Sequence, residues 1–221
     1  MNYLNKYNSF KVNEANSNNE SRERSGRLLT QAQVEYKDDV NKEIPQTLPT
    51  MVFTDVVGSS KMWDDDPVLM MKQLEEHHQL IETLSEKNKG WIVKTIGDAF
   101  MIYFEPSTES LTNALNCAKD IIVNEKKYNL RVGVCQGQMQ EKTYRIQKVD
   151  LRDFYGNAVN VASRMESKIA TEGHIAFSST KQITENTLSR YKKLGELYEV
   201  NIKQYDLRGA SINTAYTIKI K

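Results

Sequence analysis

Two acidic residues stand beside small residues at points where the chain has to turn. Asp55 follows an apolar run and precedes the Gly-Ser-Ser sequence at 58–60, and Asp98 follows Gly97 between two further apolar runs. A carboxylate can bind a hard cation, and a turn of small residues can direct backbone N–H groups toward phosphate oxygens. Each motif by itself is typical of ordinary turn chemistry. Together they indicate a site for divalent cations and phosphate, if the fold brings them close.

The residues around the two aspartates predict the elements that position them. The run from Thr47 to Val57 is rich in β-branched and apolar residues and predicts a buried strand. The runs 91–96 and 99–104 predict two strands joined by Gly97-Asp98, which is a strong hairpin-turn signal. If the first strand lies beside this hairpin, the two carboxylates can converge on a pair of cations about 3.5–4 Å apart.

Helical periodicity accounts for most of the remaining chain. Helices are predicted from Pro67 to about residue 89, from Ser107 to about residue 127 and from Asn157 to Ile169, and further strands at 130–134 and 144–149. The order strand, helix, strand, strand, helix, strand is the ferredoxin-like βαββαβ plan. It predicts an α+β fold with helices packed on one face of the sheet and a C-terminal extension ending near Ile218.

Composition limits the organisation and the partners of the chain. A length of 221 residues with 39% apolar residues suits one core, so we expect a flexible polar arm at 1–47 and one catalytic domain at 48–221. The 30 basic and 29 acidic residues give a net charge of +1, which excludes a global basic field for nucleic acid. We expect no direct membrane insertion. Cys117 and Cys135 lie in apolar stretches and predict buried thiols in a cytoplasmic protein.

Five motifs, in this order, resemble those of the class III adenylyl and guanylyl cyclases: FTDVVGSSKMW, VKTIGDAFMIYF, LRVGV, DFYGNAVNVASRMES and LRGASINTAYTI. The resemblance covers about residues 48 to 220. It implies a nucleotide cyclase that uses two divalent cations, Mg²⁺ or Mn²⁺. By analogy with the family, Asp55 and Asp98 would bind the metals. The backbone of Val56, Val57, Gly58, Ser59 and Ser60 would hold the triphosphate.

Two further positions concern the nucleotide base. Lys94 occupies the place of the lysine in adenylyl cyclases, and Asp153 matches the second base-reading position of the family. Adenine offers a ring acceptor to the lysine and an amino donor to the aspartate, whereas guanine presents the opposite pattern. ATP is therefore favoured as substrate over GTP. Cytosine also offers an amino donor next to a ring acceptor, so hydrogen bonding alone leaves CTP open.

The resemblance assigns the remaining roles to residues late in the chain. Asn160 would orient the ribose, and Arg164 would stabilise the charge that develops on the α-phosphate. Arg208 takes the place of a lysine that contacts the terminal phosphates, and Lys203 is a nearby competitor. The spacing of His77, His78 and His174 suggests neither a catalytic triad nor a zinc site, so all three are interpreted as structural or surface residues.

The implied reaction converts ATP to 3′,5′-cyclic AMP and pyrophosphate. In the family, the metal aspartates come from one subunit and the base-reading, Asn and Arg residues from the other. This chain carries both sets, so the resemblance implies a homodimer with two complete sites. Two alternatives stay open. One is a cyclase of the same fold that makes cyclic GMP, or a cyclic pyrimidine nucleotide (cCMP or cUMP) for antiviral signalling. The other is a catalytically silent nucleotide-binding regulatory module.

Overall fold

The computed structural model describes residues 47–221, so the predicted arm lies outside the described residues except for Thr47. The strands are β1 (Leu48–Val56), β2 (Gly90–Ile96), β3 (Ala99–Ser107), β4 (Leu130–Gln136), β5 (Gln140–Ile146), β6 (Val149–Tyr155), β7 (His174–Ser179), β8 (Glu196–Val200) and β9 (Ala215–Lys219). The α-helices are α1 (Ser59–Asp65), α2 (Pro67–Lys87), α3 (Ser110–Asn124), α4 (Asn157–Arg164) and α5 (Glu185–Tyr191). A π-helix (Met165–Ile169) continues α4, and a 3₁₀-helix spans Ile202–Gln204.

The predicted βαββαβ order is confirmed by β1, α2, β2, β3, α3 and β4. Seven strands form one sheet in the order β2-β3-β1-β4-β7-β9-β8, in which only β4 and β7 pair in parallel. β1 lies between β3 and β4 and pairs antiparallel with both, with Thr54 opposite Phe100 and Asp55 opposite Arg131. The fold class is therefore α+β, as predicted. The end of β1 lies beside the β2–β3 turn, as the convergence of the two aspartates requires.

The main sheet carries a hydrophobic core on each face. Because side chains alternate along a strand, Val52 and Val56 of β1 contact the core beneath α2 and α3, whereas Met51 contacts the opposite core. The helices of the βαββαβ unit thus cover one face, as predicted. The other face is covered by α4, its π-helical continuation and part of the C-terminal segment. This second layer lies outside the βαββαβ plan.

The backbone of α4 and of the π-helix lies directly against β4. A Cβ atom at Gly133 would lie 2.2 Å from the Ala162 carbonyl oxygen and 2.2 Å from the Glu166 amide nitrogen. Only glycine leaves room for so close an approach between helix and strand. Gly133 therefore fixes the distance between the sheet and the segment that contains Arg164.

The predicted strand at 144–149 is wrong, because this stretch contains the turn of a hairpin. β5 and β6 pair with each other as a separate two-stranded sheet, in which Lys142 lies opposite Asp153. Gln147 and Lys148 form the turn with φ values of 49° and 70°. Such left-handed conformations favour glycine or asparagine, so these two residues gave no turn signal.

Two predictions from composition also concern the described residues. Cys117 and Cys135 are unpaired and buried, as expected, and burial raises the pKa of each thiol to about 12. Among the helices within residues 47–221, none has both the length and the apolar character needed to cross a bilayer.

Candidate active site

Asp55 and Asp98 lie at the same end of the sheet, as the sequence predicts. Asp55 is the penultimate residue of β1, and Asp98 lies in the two-residue turn between β2 and β3. The two side chains interact electrostatically: burial raises the pKa of Asp55, and the negative charge of Asp98 raises it further, against the lowering effect of Arg131. The fold therefore places two mutually repelling carboxylates close together, an arrangement that a cation would relieve.

The carboxyl group of Asp98 is incompletely satisfied by the protein. Its Oδ2 atom is buried and has no hydrogen-bond partner among the described residues. A buried carboxylate oxygen without a donor is costly, and a divalent cation is a suitable partner for it. Within residues 47–221, no group of three or more His, Cys, Asp and Glu side chains forms a metal cluster. Two carboxylates together with substrate phosphates form a ligand set typical of Mg²⁺.

Arg131 contacts Asp55 from the neighbouring strand. Its Nη2 donates a hydrogen bond of 2.6 Å to Asp55 Oδ2, and its Nε lies 2.6 Å from Oε1 of Glu166 in the π-helix. Burial alone would lower the pKa of Arg131, but the carboxylates of Glu166 and Asp55 outweigh it and raise the pKa. Burial raises the pKa of Glu166 to about 7, against the lowering effect of Arg131. The sequence motifs that contain Arg131 and Glu166 assign no role to either residue.

The turn after β1 exposes fewer amide groups than the sequence suggests. The Val57 N–H donates to the Asn129 carbonyl oxygen at 2.8 Å, and the Val56 N–H is directed to the Asp55 carboxylate. Gly58 has φ of 78°, and the first residues of α1 follow it immediately. Because the opening N–H groups of a helix lack intrahelical partners, the amides at 58–60 are those that remain for phosphate.

Two histidines of α2 hold the turn that contains Asp98. His77 Nδ1 lies 2.7 Å from Glu125 Oε2 in a buried pair, and its Nε2 lies 3.3 Å from the Asp98 carbonyl oxygen. His78 Nε2 lies 3.2 Å from the Gly97 carbonyl oxygen. The prediction that these histidines are structural is confirmed. The structure adds that the segment they support is the one with the candidate metal ligand.

Lys94 and Asp153, the predicted base-reading pair, contact each other directly. Lys94 Nζ lies 2.6 Å from Asp153 Oδ2, which also accepts a hydrogen bond of 3.1 Å from the Tyr155 hydroxyl. Asp153 Oδ1 accepts from the Phe154 N–H at 2.8 Å. Burial would raise the pKa of Asp153, but these three donors, led by Lys94, lower it. A fixed carboxylate thus stands beside a fixed ammonium group.

A cavity of about 500 Å³ adjoins this pair. Its walls come from β2 and from the β5–β6 hairpin, and they include Trp91, Ile146 and Leu151. Ligand sites typically have this combination of volume, apolar walls and a few polar groups. Arg152 ties the hairpin to the main sheet, because its guanidinium lies 4.6 Å from the ring centre of Trp91 on β2 and its Nη2 lies 3.5 Å from Glu105 Oε1 on β3.

Asn160, Arg164 and Arg208 are the remaining predicted site residues, two on α4 and one in the C-terminal segment. Asn160 is exposed on α4, and Arg164 Nε donates to the Arg208 carbonyl oxygen at 3.3 Å. The Arg208 side chain pairs with Asp206 at 2.7 Å. Among residues 47–221, no hydrogen bond or ion pair joins these three residues to Asp55, Asp98, Lys94 or Asp153. Within the described residues, the metal group, the base group and these three residues therefore share no direct hydrogen bond, although Arg131 links Asp55 to Glu166, two residues after Arg164.

The comparison with known proteins identifies the family. Residues 44–219 match the model of the adenylate and guanylate cyclase catalytic domain. The chain belongs to this cyclase family. The adenylate cyclase of Podospora anserina is 29% identical over 164 residues, which are 64% of this chain and 8% of that protein. This chain therefore corresponds to a small part of that relative.

Solved cyclase domains share the fold at low sequence identity. The guanylate cyclase domain of RhGC from Catenaria anguillulae, in complex with GTP, matches with a TM-score of 0.64 and 21% identity, over 79% of this chain and 97% of that one. An adenylate cyclase from Trypanosoma brucei in its monomeric state matches with a TM-score of 0.62 and 20% identity, over 81% of this chain and 92% of that one. These structures show that the chain has the cyclase fold; the reaction and the nucleotide base have to be inferred from the residues of the site.

Proposed function

We propose that this cyclase domain converts ATP to 3′,5′-cyclic AMP and pyrophosphate at a site shared by two copies of the chain. The observation that carries the choice of base is the contact of 2.6 Å between Lys94 and Asp153. It holds a donor and an acceptor side by side at the edge of the cavity, matching N1 and the N6 amino group of adenine. Guanine would place a donor against the Lys94 ammonium group and an acceptor against the Asp153 carboxylate. Each unsatisfied group would cost about 1–3 kcal/mol.

Separate residues of the chain would bind the metal ions, the phosphates and the ribose. Asp55 and Asp98 would hold two divalent cations, Mg²⁺ or Mn²⁺, which when bound supply activation of the ribose 3′-hydroxyl and neutralisation of the triphosphate. The amides at 58–60 would hold the phosphates. Asn160 would orient the ribose, and Arg164 would stabilise the charge that develops on the α-phosphate.

The reaction is an in-line displacement at the α-phosphorus. The 3′-oxygen forms a bond to this phosphorus, the bond to the bridging oxygen of the β-phosphate breaks, and pyrophosphate leaves with that oxygen. The proton of the 3′-hydroxyl passes to solvent or to a substrate phosphate. Arg208 would bind the terminal phosphates once its side chain leaves Asp206, and positioning with charge neutralisation would supply most of the rate enhancement.

The division of the site residues between subunits in the family supports a homodimer. Asp55 and Asp98 would come from one copy and the base-reading pair, Asn160 and Arg164 from the other, so a C2 dimer would supply each of its two sites with residues from both copies. A monomer is expected to be inactive. A cytoplasmic location belongs to the same proposal and is supported by the two buried, unpaired thiols, since thiols persist in reducing compartments.

The purified protein tests the proposal directly. It is incubated with Mg²⁺ or Mn²⁺ and, separately, with ATP, GTP, CTP and UTP, and the products are identified by mass. Asp55→Ala removes one metal ligand, and Asp64→Ala is the matched control because Asp64 is exposed on the neighbouring helix. Cyclic AMP from ATP, lost in Asp55→Ala and retained in Asp64→Ala, is the expected result.

Each other outcome of this experiment would contradict a different part of the proposal. A cyclic pyrimidine nucleotide would keep the metal aspartates and overturn the choice of adenine, since cytosine presents a similar donor and acceptor. Cyclic GMP would overturn the role of the Lys94–Asp153 pair. Nucleotide binding without any product would support the silent regulatory module.

A further inference from the structure

Arg131 is shared between two carboxylates, only one of which belongs to the proposed metal site. It lies opposite Asp55 in the β1–β4 register and contacts Asp55 Oδ2 at 2.6 Å. Its Nε lies 2.6 Å from Glu166 Oε1 on the other side. The side chain of Glu166 is 12% exposed, so it is held beneath the surface next to the guanidinium. The proposed mechanism has no role for either Arg131 or Glu166.

The position of Glu166 is set by a close backbone approach between the π-helix and β4. Its amide nitrogen lies where a Cβ of Gly133 would collide, two residues along β4 from Arg131. The π-helix begins at Met165, directly after Arg164, and π-helical turns often occur at functional sites. Glu166 is therefore a fixed carboxylate.

A divalent cation and Arg131 compete for Asp55. Both are positive, and both approach the same carboxyl group, which already experiences the charge of Asp98. Glu166 attracts the guanidinium from the opposite side and so reduces the hold of Arg131 on Asp55. Without the charge of Glu166, the whole positive charge of Arg131 would be available to Asp55.

We propose that Glu166 is a positioning residue that acts through Arg131 to set the affinity of Asp55 for a divalent cation. This inference rests on the proposed function, because it takes Asp55 to be a metal ligand. It adds Arg131 and Glu166 to the residues that influence the metal site, and it gives the π-helix a role in metal binding by its own chain. The expected signature is a change in metal affinity, with little change in turnover at saturating metal.

A double-mutant cycle separates action through Arg131 from a simple charge effect. Binding of Mn²⁺ is measured by electron paramagnetic resonance in the absence of nucleotide, at pH 8. Glu166→Gln is expected to raise the Kd for Mn²⁺ about fivefold or more in the natural sequence. In an Arg131→Gln background, where there is no guanidinium to share, the same change is expected to raise it less than about twofold.

The matched control is Glu141→Gln, which removes a carboxylate from Arg152 on the β5–β6 hairpin and is expected to leave Mn²⁺ binding unchanged. An Arg131→Met background replaces Arg131→Gln if the latter fails to fold, since methionine also lacks the positive charge and its flexible side chain can fill the part-buried position. Turnover against Mn²⁺ concentration provides a second measurement, in which the KM for metal should rise while kcat stays within about twofold.

Three results would overturn the inference. An equal effect of Glu166→Gln in both backgrounds would mean that Glu166 acts on the cation directly. An unchanged Kd would mean that Glu166 has no influence on the metal. A fall in kcat without a change in Kd would indicate a purely structural role. Failure of the proposed function is recognised separately, because Asp55→Ala would then leave Mn²⁺ binding intact.

Discussion

Replacement of Asp153 by Asn tests the assignment of the base with almost no change of shape. Asp153 Oδ1 can keep its hydrogen bond from the Phe154 N–H at 2.8 Å. The new amide NH₂ then occupies the place of Oδ2, where it faces two other donors, Lys94 Nζ and the Tyr155 hydroxyl. It would also face the N6 amino group of adenine. An acceptor is thus exchanged for a donor at the atom that would read the base.

The size of the effect follows from these contacts. An unpaired buried donor costs about 1–3 kcal/mol, which corresponds to a fall of about 5- to 150-fold in kcat/KM for ATP. GTP should lose much less, because the O6 atom of guanine accepts a hydrogen bond from the new amide. The folded state loses one partly exposed ion pair, so the melting temperature should fall by no more than about 4 °C.

The assay compares kcat/KM for ATP, CTP and GTP in Asp153→Asn and in the natural sequence. Asp150→Asn is the control, because Asp150 lines the same cavity on the same strand. The expected result is a lower ATP-to-GTP ratio in the first variant alone, with CTP following ATP. If kcat/KM for ATP stays within twofold of the natural value, or ATP and GTP fall equally, Asp153 does not read the base.

Three further predictions concern the dimer, the packing and the pH dependence. Asp55→Ala and Arg164→Ala should each be inactive, and mixing them should restore part of the activity; confirmed dimers without recovery would contradict the shared site. Gly133→Ala should destabilise the domain by about 1–3 kcal/mol, visible as a lower urea midpoint, because its Cβ meets backbone atoms at 2.2 Å; an unchanged midpoint would show that the layers separate easily. The folded-state pKa of Glu166, about 7, exceeds the ordinary value of 4.5, so its contribution to stability is present below pH 4.5 and is lost as pH rises to about 7. The stability advantage of Glu166→Gln over the natural sequence should therefore be larger at pH 8 than at pH 5, and a constant difference would refute the raised pKa.

Local sequence patterns were sufficient for the elements that position the aspartates. Gly97-Asp98 between two apolar runs forms the predicted hairpin turn, and Pro67 after acidic residues begins the predicted helix. These signals work because turn geometry and helix initiation depend on neighbouring residues. The β5–β6 turn escaped prediction because Gln147 and Lys148 adopt a conformation that their side chains do not favour.

Contacts between distant segments could not be predicted from the same patterns. Arg131 and Glu166 are charged residues on separate elements, and only the packing of the π-helix against β4 brings them together. His77 and His78 similarly reach the Gly97–Asp98 turn through the packing of α2. In each case the residue type is compatible with an exposed position, so burial and partner appear only in the folded structure.

The placement of Asp153 on a separate two-stranded hairpin has a consequence for how such enzymes diversify. The aspartates and Arg131 lie on or beside the central strands, where a substitution disturbs both cores. The hairpin does not pair with the strands of the main sheet and contacts it through side chains, among them Arg152 over Trp91 and the buried Phe154 stacked on Tyr103. Mutations in β5 and β6 can therefore accumulate without loss of the reaction chemistry. The aspartate of the base-reading pair can thus vary with the hairpin, whereas Lys94 lies on β2 in the main sheet, so a new second messenger would require changes in both places.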